Sequence, residues 1–222
     1  VLLNPKPNLN ITDGQNSRLE MKITVPGLLV AVAIAAADMA TLACAASIDD
    51  NEIQARVDEA KKVSGDFLKR LGETMKGEMQ AGGPTAAMKV CRDVAPGFAN
   101  DVSLQKGWKV TRVGTRTRNH MLGLPDAWEQ GVLQDFQERA AKGEQYGDMI
   151  HFEVVEEPAG KSLRFMKAIG TAPQCIVCHG SNTQIAEPVR AQLNSLYPHD
   201  RAVNYKPGDL RGAVSIKQPL HD

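Results

Sequence analysis

Apolar side chains at Ile53, Val57, Phe67, Leu68, Leu71, Met75 and Met79, with Ser64 among them, follow one another at mostly three- and four-residue steps, and charged residues take the opposite side. That period predicts an amphipathic helix over 50–80, with Asp49 or Asp50 as its cap. A stripe of this length is more often an interhelical packing surface than the lining of a cofactor site. Gly82-Gly83-Pro84 ends the helix, and a second begins at Pro84 or Thr85 and runs to about residue 98. Ala87, Val90, Cys91, Val94, Ala95 and Phe98 keep helical spacing along it, which turns Cys91 toward a core.

Beyond residue 107 the period changes. Trp108–Val113 alternates and is β-branched, which predicts a strand. Pro125 opens a helix whose apolar face is Trp128, Val132, Leu133 and Phe136. Ile150–Val155 and Ser162–Ile169 read as two strands joined by a turn at Pro158-Ala159-Gly160. A short helix near 184–196 and a last strand over Leu210–Ile216 complete the series. Helices, strand, helix, hairpin, helix, strand is an α+β order, expected to give an antiparallel sheet covered by helices on one side.

The N-terminal region has a different character. Met21-Lys22 leads into an apolar run over 23–37, short of the roughly 20 residues that span a bilayer. Small residues and an Ala-x-Ala pattern at Ala43-Cys44-Ala45 follow, so 21–46 reads as a secretory signal cleaved near residue 46. Cys44 offers a lipidation alternative, but the residue three positions earlier, Thr41, is not aliphatic. Residues 1–20 are polar and precede the signal, and they read as a non-native or upstream segment. Every aromatic residue lies at Phe67 or later, so the core is expected downstream. The division is thus 1–20, signal 21–46, a helical extension 47–83 and a domain over 84–222. The mature chain, about 175 residues, suits one domain. Lys plus Arg and Asp plus Glu both number 26, and no basic tract stands out, which argues against a nucleic-acid partner.

Chemistry concentrates at Cys175-Ile176-Val177-Cys178-His179. A Cys-x-x-Cys-His run is the attachment site of a c-type haem. Two thiols one turn apart can add to the porphyrin vinyl groups, and the imidazole that follows becomes the proximal ligand of the iron. A zinc site would have to use the direct neighbours Cys178 and His179, which is awkward for a tetrahedral ion. A thioredoxin-like motif should head a βαβ unit, and none is legible. Haem attachment outside the cytoplasm agrees with the secretory signal. Small cytochromes c, however, are all-α with an early motif, whereas this motif follows a hairpin.

Removing the signal leaves Cys91 without a partner if Cys175 and Cys178 carry the haem. An odd thiol in an exported protein calls for a reason. Its core-facing position disfavours an intermolecular disulfide. The helical pattern leaves two readings open, an inert small hydrophobe and a thiolate ligand on the far side of the iron.

From about Ala86 to Leu220 the chain resembles the PAS-like haem c domain family. The resemblance rests on Val90-Cys91 with Ala95-Pro96, Arg112, Arg118-Asn119, Leu124–Glu129, Pro173–His179 and Gly208–Ser215. It implies a PAS-like antiparallel sheet with an N-terminal helical extension and one covalently bound haem c. It also implies axial ligation by His179 and Cys91. His120 departs from the family pattern, which has Pro after Arg-Asn. Arg112, Arg116 and Arg118 share one side of an extended segment, and Arg118 is the candidate for the haem propionates.

The expectation is an exported, periplasmic haem protein and not an enzyme: a redox or small-gas sensor module, or else an electron-transfer cytochrome. With both axial positions filled, CO or NO would bind only after loss of the Cys91 ligand. The absence of an output domain in this reading implies a redox or signalling protein partner. A peroxidase-like enzyme would need a distal acid–base group, for which His120 and His151 are the candidates. No membrane span is expected after signal cleavage.

Overall fold

A computed structural model describes residues 49–220. The upstream segment over 1–20, the signal over 21–46 and Cys44 lie outside the described residues. Helix α1 spans Asp50–Lys89, and the Asp49 side chain caps it by accepting from the backbone N–H of Asn51 at 3.2 Å. Its inner face is Val57, Ala60, Ser64, Phe67 and Leu71. Gly83 breaks it with φ 69° and ψ −166°, a left-handed conformation that a side chain disfavours. Pro84 follows the break, where its missing N–H is no loss. The two helical stretches therefore meet where Gly-Pro chemistry predicts.

The second stretch does not stop near residue 98. It widens into a π-helical turn over Val90–Val94 and continues as α2, Ala95–Lys106, closed by Gly107 at φ 68°. Leu104, 78% exposed, falls outside the apolar stripe, which hides the last turns from a periodicity argument. Strand β1 (Lys109–Gly114) leads to the one-turn α3 (His120–Gly123) and to α4 (Ala127–Ala141). Strands β2 (Ile150–Glu157) and β3 (Gly160–Gly170) form a hairpin. A 3-10 turn at Pro173–Cys175 runs into the one-turn α5, Ile176–His179. Helix α6 (Glu187–Leu196) and strand β4 (Leu210–Pro219) finish the chain.

All pairings are antiparallel, in the order β1-β4-β3-β2. The fold is α+β, with a long N-terminal helix and a four-stranded antiparallel sheet. One expectation is corrected: helices cover both faces of the sheet. Leu163 and Phe165 of β3, with Val214 and Ile216 of β4, pack against Val57, Phe67, Leu71 and Phe98 of α1 and α2. Their neighbours Met166, Ala168 and Ala213 pack on the other face against Val132, Leu133 and Phe136 of α4. Central strands buried on both sides carry a nearly continuous apolar run, as β3 and β4 do.

A charged group is nevertheless buried beside α4. Arg164 meets Asp126 at 2.7 Å and Glu129 at 3.4 Å, and Glu129 accepts from Ser215 at 2.6 Å. Asp126 and Glu129 also form the capping box that starts α4. This network pins the α4 N-terminus to β3 and β4. Among the described residues, no helix is long and apolar enough to cross a membrane.

Candidate functional site

A cavity of about 980 Å³ opens beyond the packed part of the α1–sheet core. Its walls are α1 from Phe67 to Gln80, the helical stretch around Cys91, β1, α3 and the turn carrying Cys175 and Cys178. The α1 stripe divides in two. Through Leu71 it is buried core, whereas Met75 and Met79 are half-buried and line the cavity. Packing and cofactor-sized space thus share one helix face.

Cys91, Cys175, Cys178 and His179 all line this cavity, and no disulfide joins the three thiols. Cys91 sits in the π-helical turn, where one extra residue re-aims a side chain; such turns are frequent at functional sites. Burial pushes the Cys178 thiol up; Arg118 opposes this, while nearby Cys91 and Cys175 add to it. Three thiols close enough to feel one another come from two segments far apart in sequence. Among the described residues, no group of three or more His, Cys, Asp or Glu stands ready to hold a metal ion alone.

His179 is prepared for ligation. Its Nδ1 lies 2.7 Å from the Ala202 carbonyl oxygen, which can only accept, so the ring proton belongs on Nδ1. Nε2 keeps its lone pair, and the other ring nitrogen's hydrogen bond fixes the tautomer. Burial, with the guanidiniums of Arg118, Arg211 and Arg112, holds the imidazole well below its ordinary pKa, so it is neutral. The backbone on either side is tied as well. The N–H of Tyr205 donates to the His179 carbonyl at 2.9 Å, and that of Asn204 donates to Gly180 at 2.8 Å.

The three arginines part company. Arg116 leaves the cavity; it stacks 3.8 Å over the Tyr205 ring, with Asp209 at 3.9 Å. Arg118 lines the cavity, but its Nε donates to Asp200 at 2.9 Å and its Nη2 to the Cys178 carbonyl at 2.6 Å. Only Nη1 is left for another partner. Arg112 lines the cavity with no ion-pair partner among the described residues. Arg211 lines it too, with Nη1 3.2 Å from the Arg116 carbonyl. Sequence reading passed over Arg211, although an arginine at the head of a buried strand was the available signal.

Neither His120 nor His151 is part of this lining. His120 is exposed on α3, and His151 stands edge-on to Trp128 at 5.7 Å, beside α4. Gly212 is required where the cavity wall closes. A Cβ there would collide with the Val113 carbonyl oxygen and lie 2.9 Å from the Gly114 Cα, blocking the approach of β1 to β4.

The residues present suit a haem. Apolar walls, two thiols one turn apart, a neutral imidazole with its Nδ1 engaged, a third thiol and cations for carboxylates all meet in one space. Its volume is at the upper end for small-molecule and cofactor sites, roughly 300–1,000 Å³.

Comparison with known proteins agrees in kind. The model of the Tll0287-like family (Tll0287) matches residues 33–219. That span contains every segment on which the sequence resemblance rests. The fold is similar to the crystal structure of the cyanobacterial heme-protein Tll0287, with TM-score 0.55 and 21% identity, over 78% of this chain and 98% of that one. No curated protein matches the chain.

Proposed function

The chain belongs to the Tll0287-like family, and from that premise we propose that it holds one covalent haem c in the 980 Å³ cavity and serves as an exported redox or small-gas sensor module. The observation that carries the reading is the meeting of Cys91, Cys175, Cys178 and His179 on one cavity wall system. Cys175 and Cys178 would carry the thioethers, and His179 and Cys91 would hold the iron. Bound there, the haem supplies a one-electron redox centre and, at a vacated axial position, a site for CO or NO.

The protein's own contribution is placement. His179 presents Nε2 with its tautomer fixed by Ala202. Arg112 and Arg211, with the remaining Nη1 of Arg118, offer positive charge to the cofactor's carboxylates. Cys91 stands on a π-helical turn, and release of its side chain alters the packing of that turn between α1 and α2. A partner that touches this stretch would read the change. A catalytic role is not proposed, because both acid–base candidates, His120 and His151, lie outside the cavity lining. The periplasm is the proposed compartment; the haem-attachment motif, and the segment over 21–46 read as a secretory signal, support it.

A second reading, an electron-transfer cytochrome, is favoured by the apolar rim. Val177 of the haem motif is 36% exposed and Leu122 beside the cavity is 54% exposed. Absorption spectra of oxidised and reduced protein, with and without CO, separate the two. A sensor loses its thiolate on reduction and takes up CO; a carrier keeps both ligands. Covalent attachment is tested by acid–acetone extraction after expression with a cytochrome c maturation system. Haem should stay with the wild type and be extracted from the Cys175→Ala/Cys178→Ala protein. Complete extraction from the wild type would refute the reading.

A further inference from the structure

Beside the imidazole stands a buried ion pair, of which Arg118 reaches the cavity wall and Asp200 does not. The side chains of Arg118 and Asp200 are each 8% exposed, with Nε and Oδ2 2.9 Å apart. Both ends reach further. Asp200 Oδ1 accepts from the backbone N–H of Ala202 at 2.7 Å, and the Ala202 carbonyl accepts from His179 Nδ1 at 2.7 Å. On the other side, Arg118 Nη2 donates to the Cys178 carbonyl at 2.6 Å. The loop is tied at its next residue, where the Arg201 N–H donates to the Thr117 carbonyl at 2.9 Å. Carboxylate and imidazole thus hold the same residue, Ala202, by its N–H and by its carbonyl, and the guanidinium clamps the turn that carries the imidazole.

We infer that Asp200 and Arg118 are positioning residues for the His179 ligand: Asp200 holds the Ala202 loop so that its carbonyl meets Nδ1, and Arg118, whose Nη2 also lies 3.3 Å from Nδ1, clamps the turn that carries the ring. The argument deepens the haem reading and rests on it. A charged acceptor on the Ala202 N–H favours this loop geometry and the presentation of its carbonyl to Nδ1. A stronger acceptor at Nδ1 gives the ring more imidazolate character, and the partner of a ligating histidine's other nitrogen tunes the metal it holds. Asp200 touches neither cavity nor ligand directly, so it acts through Ala202 and through its ion pair with Arg118. Arg118 is thereby assigned mainly to the protein side of the ligand.

The test uses the holoprotein. Asp200→Asn keeps the side-chain shape and removes its charge. Arg118→Gln/Asp200→Asn removes both charges and leaves the net charge unchanged. Midpoint potential and the g-value spread of the low-spin ferric electron paramagnetic resonance signal are measured for each. Phe136→Leu, on the opposite sheet face, controls for general loss of stability.

The expected result is a positive shift of the midpoint and an altered g-spread in both variants, with neither moved in Phe136→Leu. If the double variant returns to the wild-type potential and g-spread, the single-variant shift is simple charge and the inference is overturned. It is also overturned if both variants match the control. A wild-type protein without covalent haem would instead defeat the haem reading, and extraction reports that separately. If Asp200→Asn does not accumulate, Asp200→Glu supplies the same comparison. A wild-type potential and g-spread with the longer, displaced carboxylate would overturn the inference; shifted values support it.

Discussion

The Tyr205 ring stands edge-on to the His179 imidazole, with centroids 6.0 Å apart and planes at 88°. That contact belongs to a larger anchor. The Tyr205 hydroxyl lies 2.8 Å from Thr115 Oγ1 and accepts from the Arg116 N–H at 3.0 Å, and its backbone N–H donates to His179. Tyr205→Phe should keep the ring contact and the cofactor, and cost about 1–3 kcal/mol through the partners left unpaired. Tyr205→Ala should cost about 3–5 kcal/mol and loosen the haem turn. Urea unfolding of both variants, with covalent haem stained on gels, checks this. No loss in Tyr205→Phe would show that the hydroxyl contributes nothing, and equal losses in the two would show that the ring adds nothing.

How much of this arrangement the chain discloses depends on the distance between partners. Cys175, Cys178 and His179 lie within five consecutive residues, so their chemistry is local and legible. Cys91 was placed by helical phase, although the phase alone left it between ligand and inert core residue. The partners of His179 were invisible in advance. Asp200, Ala202 and Tyr205 look like an ordinary polar loop until hydrogen bonds return that loop to the motif. Strand positions are readable because β-branched runs mark them, but the two-sided burial of β3 and β4 shows only once α4 is seen to cover the second face. His120 drew notice by its chemistry, and exposure on α3 removes it from the cavity lining.

Acid sensitivity should trace in part to Asp126. Burial works to raise its pKa, but the hydrogen bonds from Arg164 and from the Glu129 backbone outweigh that and hold it below 3.8. A carboxylate depressed in the folded state stabilises above its unfolded pKa, and that contribution is lost as pH falls through the folded value. Asp126→Asn should keep the cap of α4 and flatten the loss of stability below about pH 4. Asp126→Ala should also lose the cap, about 1 kcal/mol at neutral pH. Denaturant midpoints across this acid range decide it. A slope identical to wild type in Asp126→Asn would rule out the assignment.

Glycines at two sites should respond in opposite directions. Gly212→Ala forces a Cβ against the Val113 carbonyl and should separate β1 from β4 at the end that carries Arg112 and Arg211. Overpacking of this kind costs about 1–3 kcal/mol. Gly131 lies within α4, where an added Cβ meets nothing within 4 Å. Gly131→Ala should stabilise by about 0.5–1 kcal/mol. Thermal unfolding of the pair tests the packing claim, and a stabilised Gly212→Ala protein would contradict it.

Cys91 separates the proposals most sharply. If it is the thiolate ligand, the ferric low-spin spectrum should carry thiolate features that vanish in Cys91→Ala and Cys91→Ser. The variants should become high-spin or recruit a substitute. Met75 and Met79 line the same cavity, whereas His120 does not, so a thioether is the expected replacement. The reduction potential should rise, since removing an anionic donor destabilises the ferric state, and reduced variants should bind CO more readily. A Met75→Leu/Met79→Leu background should then shift a low-spin Cys91→Ala protein toward high spin. As a mere packing residue, half-buried Cys91 could be replaced by Ala with a small stability loss and an intact spectrum. An unchanged ferric spectrum in Cys91→Ala would end the thiolate assignment and leave the electron-transfer reading in its place.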